Sequence, residues 1–253
     1  MSRYFLHLAY NGKNFHGWQI QNNAITVQQV LNETLRLFFK TTIELTGAGR
    51  TDTGVHAKDF YAHFDLPTNL NNEDIPNIVH KLNGFLKQDI TIYDIIHVKD
   101  EAHARFDAIS RTYNYYINTK KDIFNFDYSF SIYGSLDVDA MNEAAQLLFD
   151  YTDFSCFSKS NTQTKTNNCK IIKAFWEQNN ESLVFTITAD RFLRNMVRAI
   201  VGTLLEIGFH KINNEDFKRI IENKNRSDAG YSVPAKALFL SKIVYPESLF
   251  LTK

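Results

Sequence analysis

Tyr4, Leu6, Leu8 and Tyr10 alternate with Phe5, His7 and Ala9 at the start of the chain, the period-two rhythm of a strand, and Asn11-Gly12 follows as a turn. From Thr26 the rhythm lengthens. Val27, Val30, Leu31, Leu35 and Phe38 recur at helical spacing, and Thr26 with Gln29 has the form of a capping box. Glu44 to Arg50 and His56 to Asp65 read as strands flanking a glycine-rich turn. Glu73 to Phe85 reads as a helix with Pro76 in its first turn, and Ile90 to Val98 as another alternating strand.

The second half repeats this grammar. A strand is expected from Ile109 to Asn118. Val138, Met141, Ala144, Ala145 and Leu148 mark a helix begun by Asp137, and strands follow near Ile171 to Trp176 and Leu183 to Thr188. Phe192, Leu193, Met196, Val197, Ile200, Leu204 and Leu205 predict one long helix. A short helix begins near Asn214, and Leu238 to Tyr245 closes the chain as a strand. Strands and helices mix in both halves, so the fold class is α+β, with two halves (1–103 and 104–253) each built on a largely antiparallel sheet. No low-complexity segment or linker separates them, and halves so joined are expected to share an interface.

Composition narrows the classes. Of 253 residues, 44% are hydrophobic, enough for a core and too many for wholesale disorder. Lys and Arg number 28 and so do Asp and Glu, and a zero net charge disfavours a nucleic-acid partner unless the positive field is local. Cys156 and Cys169 form neither a ligand cluster nor a disulfide framework, which fits a reducing cytoplasm. The N-terminus lacks the form of a signal peptide. The apolar run from Ile200 to Phe209 carries Glu206 and is too short to span a bilayer.

Candidate chemistry follows by elimination. His56 and His63 are an odd number apart on one strand and so face opposite ways, and no metal-ligand spacing occurs. Gly47-Ala48-Gly49 lacks the Lys and the following helix of a phosphate loop, and there is no nucleophile elbow. What remains is Arg50-Thr51-Asp52-Thr53-Gly54. One reading is a plain turn in which Asp52 caps backbone amides. The other is a carboxylate kept ionised by a neighbouring guanidinium, a nucleophile or base that needs no cofactor.

The stretch "GAGRTDTGVHA" resembles the signature of the TruA family of tRNA pseudouridine synthases. Further blocks in the same order resemble that family: "YNGKNFHGWQIQ", "HARFDAISRTYNY", "LDVDAMNEAAQLLFDYTDFSCF" and "RFLRNMVRAIVG". Asn11 and Ala237 stand where the family usually has Asp and Gly. The resemblance implies a pseudouridine synthase fold of two RRM-like halves with a central cleft. It implies isomerisation of uridine in the anticodon stem-loop of tRNA (positions 38–40), by a cytoplasmic homodimer with no metal or organic cofactor and no membrane partner.

By the same resemblance Asp52 is the catalytic aspartate, Arg50 and Arg198 orient it and keep it ionised, and Tyr113 stacks on the flipped uracil. Arg105 and Arg194 fall to substrate binding. Arg191, Arg194 and Arg198, three and four apart, would form one basic helical stripe for RNA phosphates, with Lys165 and Lys170 as additions. Phe106, Trp18 and Tyr115 are expected to be packing residues. A non-catalytic RNA-binding protein on the same scaffold and a carboxylate-dependent nucleotide hydrolase are the rival classes. The hydrolase would need a metal or phosphate-cradle motif.

Overall fold

The computed structural model describes residues 1–159, 166–179 and 182–251, so Lys165 lies outside the described residues. The chain forms two compact units, Met1–Ile109 with Leu240–Lys253, and Ser110–Phe239. The sequence reading divided the chain at residue 104 and gave the last strand to the second half. The units instead divide after Ile109, and the segment from Leu240 returns to the first.

In the first unit, β1 (Ser2–Tyr10) leads through a loop to α1 (Val27–Phe39), then β2 (Thr46–Gly47), β3 (His56–Leu66), α2 (Ile75–Phe85) and β4 (Ile90–Val98). β1 lies between β3 and β4 and is antiparallel to both, with Leu6 opposite Ala62 on one side and Ile95 on the other. Tyr4, Leu6, Leu8 and Tyr10 are buried on one face of β1; on the other face Phe5 is buried against Tyr61, Tyr245 and Phe250, while His7 and Ala9 stay half-exposed. α1 buries Val27, Leu31 and Leu35, the stripe that its spacing predicts. Its first turn is closed by Thr26, whose hydroxyl accepts from the Gln29 amide at 3.4 Å. The strand expected over Glu44 to Arg50 shrinks to Thr46 and Gly47, because the backbone leaves the sheet there to build the glycine-rich turn.

The second unit contains β5 (Ser110–Asn118), β6 (Phe130–Ser131), α3 (Val138–Leu147), β7 (Ile171–Asn179), β8 (Ser182–Ala189), α4 (Met196–Gly208) and α5 (Asn214–Asn223). Its sheet runs β5–β8–β7 and is antiparallel, while the short β6 joins β5 in parallel. The Asp137 carboxylate accepts from the Ala140 amide at 2.9 Å and starts α3 as its sequence suggested. α5 has a complete capping box, with Asn213 accepting from the Asp216 amide and Asp216 accepting from that of Asn213.

The long helix expected from Phe192 is corrected. Asn195 adopts φ +67°, a left-handed conformation that no helix interior tolerates, so α4 begins only at Met196. Arg191 and Arg194 therefore precede the helix, and no single helical stripe of three arginines exists. Within α4, Met196, Val197, Ile200 and Leu204 are buried as expected. The last strand, β9 (Leu238–Val244), joins the first unit's sheet beside β3, giving the order β4–β1–β3–β9. The Ile243 amide donates to the Asp59 carboxylate at 2.8 Å, and Val244 accepts from the Ile109 amide at 2.8 Å.

Candidate active site

The turn that carries Asp52 is fixed mainly by residues distant in sequence. The Ala48 amide donates to the Tyr61 carbonyl at 2.8 Å as the chain leaves β2. Thr51 is held twice: its carbonyl accepts from the Trp18 amide at 3.4 Å, and its hydroxyl pairs with that of Tyr10 at 2.9 Å. The Asp52 carbonyl then accepts from the Val55 amide at 3.1 Å, closing a four-residue turn. Gly54, its third residue, sits at φ +79°, where glycine costs least.

Two further glycines let the N-terminal loop approach this turn. A Cβ on Gly12 would run into the Val55 carbonyl. One on Gly17, itself at φ +87°, would run into the Thr51 carbonyl and come within 3.2 Å of the Asp52 carbonyl carbon. Gly47 is covered by the Trp18 indole, so a side chain there would displace the ring. Trp18 is buried between this glycine and Phe60, whose centroid is 4.3 Å away. The "YNGKNFHGWQIQ" block is thus the clamp on the Asp52 turn, a role visible only once the two segments meet. The turn presents Asp52 half-exposed and Arg50 exposed. Such an arrangement places the Asp52 carboxylate, on a pinned backbone, where solvent reaches it.

Arg105 stands in a second turn of the same unit. His103 builds it: its amide donates to the Asp107 carboxylate at 2.7 Å, and its Nδ1 accepts from the Arg105 amide at 3.1 Å. The Ala104 amide donates to Nδ1 of buried His63 at 3.1 Å. His56 likewise accepts from the Gly12 amide at 3.1 Å, so both strand histidines serve backbone amides. Burial pushes the His63 imidazole down to about 4. Arg105 and Phe106 are both exposed, and Phe106, at 73%, is not the packing residue expected. Trp18 and Tyr115 are, at 2% and 0%. Sequence reasoning passed over His63 and His103 because it tested histidines only as metal ligands. Among the described residues no three His, Cys, Asp or Glu side chains gather as such a site.

The remaining candidates lie in the second unit. Tyr113 is on β5 opposite Ile187, half-exposed, with its ring edge-on to Phe192 at 5.1 Å. Arg198, in the first turn of α4, donates through Nε to the Val233 carbonyl at 2.7 Å, while its own carbonyl accepts from the Val233 amide. The first bond holds the guanidinium, and the second the helix backbone, against the 230–234 segment. Gly202 and Gly230 allow that segment to lie against α4, since a Cβ on Gly202 would strike the Tyr231 carbonyl. Arg194 is exposed in the loop before the helix, and its carbonyl accepts from the Lys159 amide. Asp190 accepts the amides of Lys170 at 2.8 Å and Arg191 at 2.7 Å, so these two basic residues share one anchor. The departures from the family pattern are accommodated: Asn11 accepts from the Lys13 amide at 3.1 Å, and Ala237 is fully buried.

Comparison with known proteins gives a consistent picture. Residues 144–246 match the profile of a family described as tRNA pseudouridine synthase. A protein of Parabacteroides distasonis named tRNA pseudouridine synthase A is 55% identical over 99% of this chain and 98% of its own length. The protein of that name from Bacteroides fragilis is 53% identical over 99% of both chains. That from Thermoanaerobacter sp. strain X514 is 37% identical over 94% of this chain and 97% of its own. With identity this high along essentially its whole length, the chain belongs to the tRNA pseudouridine synthase A family.

Proposed function

We propose that this protein isomerises uridine to pseudouridine in the anticodon stem-loop of tRNA, at positions 38–40, with Asp52 as the catalytic carboxylate. The observation that carries the proposal is the Asp52 turn. Its backbone is pinned at Ala48, Thr51 and Asp52, glycines allow the clamping loop to close on it, and the carboxylate stays accessible. Rigid placement of a reacting group is what this chemistry requires.

The reaction breaks the C1′–N1 bond, turns the uracil and joins C5 to C1′. The proton on C5 is lost and N1 regains one, so nothing is oxidised or reduced. Asp52 acts at the sugar, by attack on C1′ or removal of a sugar proton. Tyr113 offers a ring to stack on the uracil, and its hydroxyl is a candidate for assisting C5 deprotonation. Arg50 and Arg198 orient and charge-stabilise the carboxylate, and Arg105 and Arg194 contact substrate. The protein acts as a cytoplasmic homodimer. Among the described residues, no helix is long and apolar enough to cross a membrane.

The test is tritium release from tRNA carrying 5-tritiated uridine, followed by mapping of the modified position. The wild-type protein is expected to release tritium from the anticodon arm. Asp52→Asn, which keeps the shape of the side chain and removes its charge, is expected to release none while binding tRNA normally. Substantial turnover by Asp52→Asn would falsify the assignment of Asp52.

A further inference from the structure

A singly exposed phenylalanine is ordinary on a protein surface. Phe106 differs because its backbone is fixed and its ring is flanked by polar groups. The Phe106 amide donates to His103 Nδ1 at 3.4 Å, and the neighbouring Asp107 amide donates to the His103 carbonyl at 3.1 Å. The Ala104 carbonyl accepts from the Tyr245 hydroxyl, and its amide is held by His63. The turn therefore displays Arg105 and Phe106 from a pinned frame. The His103 ring lies 4.2 Å from the Phe106 ring at 38°, and His63 in turn meets His103 edge-on at 4.6 Å. The Arg105 guanidinium carbon is 5.6 Å from the Phe106 centroid.

We propose that Phe106, backed by His103 and flanked by Arg105, is a stacking platform for an unpaired base of bound RNA. This rests on the reading that the substrate is tRNA. An aromatic face accepts any base, because every base has a π-face, and an adjacent arginine supplies charge for the phosphate that follows. An imidazole and a guanidinium border the ring. That composition suits a stacked, negatively charged partner better than an apolar protein face. The platform adds a binding determinant beyond Asp52 and Tyr113. It selects for an unstacked base without reading its identity.

The test uses the full chain and unmodified tRNA. Phe106→Ala and Phe106→Leu are each expected to weaken tRNA binding on the order of tenfold. Phe106→Trp is expected to bind as tightly as wild type. Its emission should be quenched when tRNA is added, against a background of buried Trp18 and Trp176. A leucine that restores full affinity, or an indole that tRNA leaves unquenched, overturns the platform. So does a change in oligomeric state of Phe106→Ala without RNA, which would make the ring a protein contact. Tritium release by the wild type is measured in parallel. Wild-type turnover with unaltered affinity in Phe106→Ala refutes the platform and leaves the enzymatic proposal standing. Absence of turnover with a weakened Phe106→Ala refutes the enzymatic proposal alone, and absence of tRNA binding by the wild type refutes both.

Discussion

His63 makes the stability of the first unit sensitive to mild acid. Its Nδ1 accepts the Ala104 amide, which only an unprotonated Nδ1 can do, and the residue is 7% exposed. Burial is the main cause that lowers its pKa, from 6.5 to about 4, and positive charge on Arg3 and His103 adds to it, while Asp65 and Asp107 act in the opposite sense. In the unfolded chain His63 takes up a proton near pH 6.5; in the folded chain it resists until about pH 4. Between these values the unfolded chain holds the extra proton, so acidification favours unfolding.

The gap corresponds to about 3 kcal/mol, present in full above pH 7 and lost as pH falls to about 4. Urea denaturation at a series of pH values measures it. His63→Asn is the reference, since its amide oxygen can replace Nδ1 as acceptor and does not titrate. Its stability should change less than that of wild type over this window, with the difference approaching about 3 kcal/mol. Asp65, held below the usual carboxylate range by its hydrogen bonds with Arg3, titrates mostly below the window in both proteins. Identical pH profiles for wild type and His63→Asn would refute the reasoning.

Gly17→Ala should cost at least about 1–2 kcal/mol from the left-handed backbone alone, and by pushing on Thr51 and Asp52 it should slow single-turnover chemistry more than it weakens tRNA binding. Gly49→Ala is the matched control in urea denaturation and rate assays: a Cβ there meets nothing within 4 Å, so equal effects at the two glycines would contradict the clamp. Tyr113→Phe should keep uridine binding and Tyr113→Leu should weaken it; indistinguishable, near-wild-type kinetics in both would reduce Tyr113 to packing. Arg194→Ala should weaken tRNA binding and flatten its log–log salt dependence by roughly 0.7–0.9, as expected for one lost phosphate contact, and an unchanged slope would place the RNA path elsewhere.

Local patterns proved a good guide where local physics decides. β4 runs over Ile90–Val98 as its alternation predicts, and Thr26 and Asp137 cap helices as their positions suggest. The pattern misleads at Phe192 and Leu193, which continue the apolar period of α4 although Asn195 turns left-handed between them and the helix. Phe106 was misjudged for a related reason: aromatic identity says nothing about exposure when a turn lifts the ring from the sheet. The glycine-rich turn was legible from composition and from its resemblance to a family signature. Its clamp was not, because Gly12, Gly17 and Trp18 meet it only through tertiary approach. Nor could alternation in β9 reveal that its partner in the first unit is β3.

The return of the chain from Leu240 into the first unit bears on how the protein is made. A ribosome delivers β1 to β4 early, but β3 lacks the neighbour that β9 provides until the whole of Ser110–Phe239 has been synthesised. The second unit is contiguous in sequence, whereas the first is completed only when its last strand has been made. During that wait β3 presents an unfinished edge, the kind of surface that chaperones recognise and that pairs wrongly with other nascent chains. Termination after Gly54 but before Leu240 thus leaves the scaffold of the Asp52 turn without its last strand, though every residue of the turn has been translated.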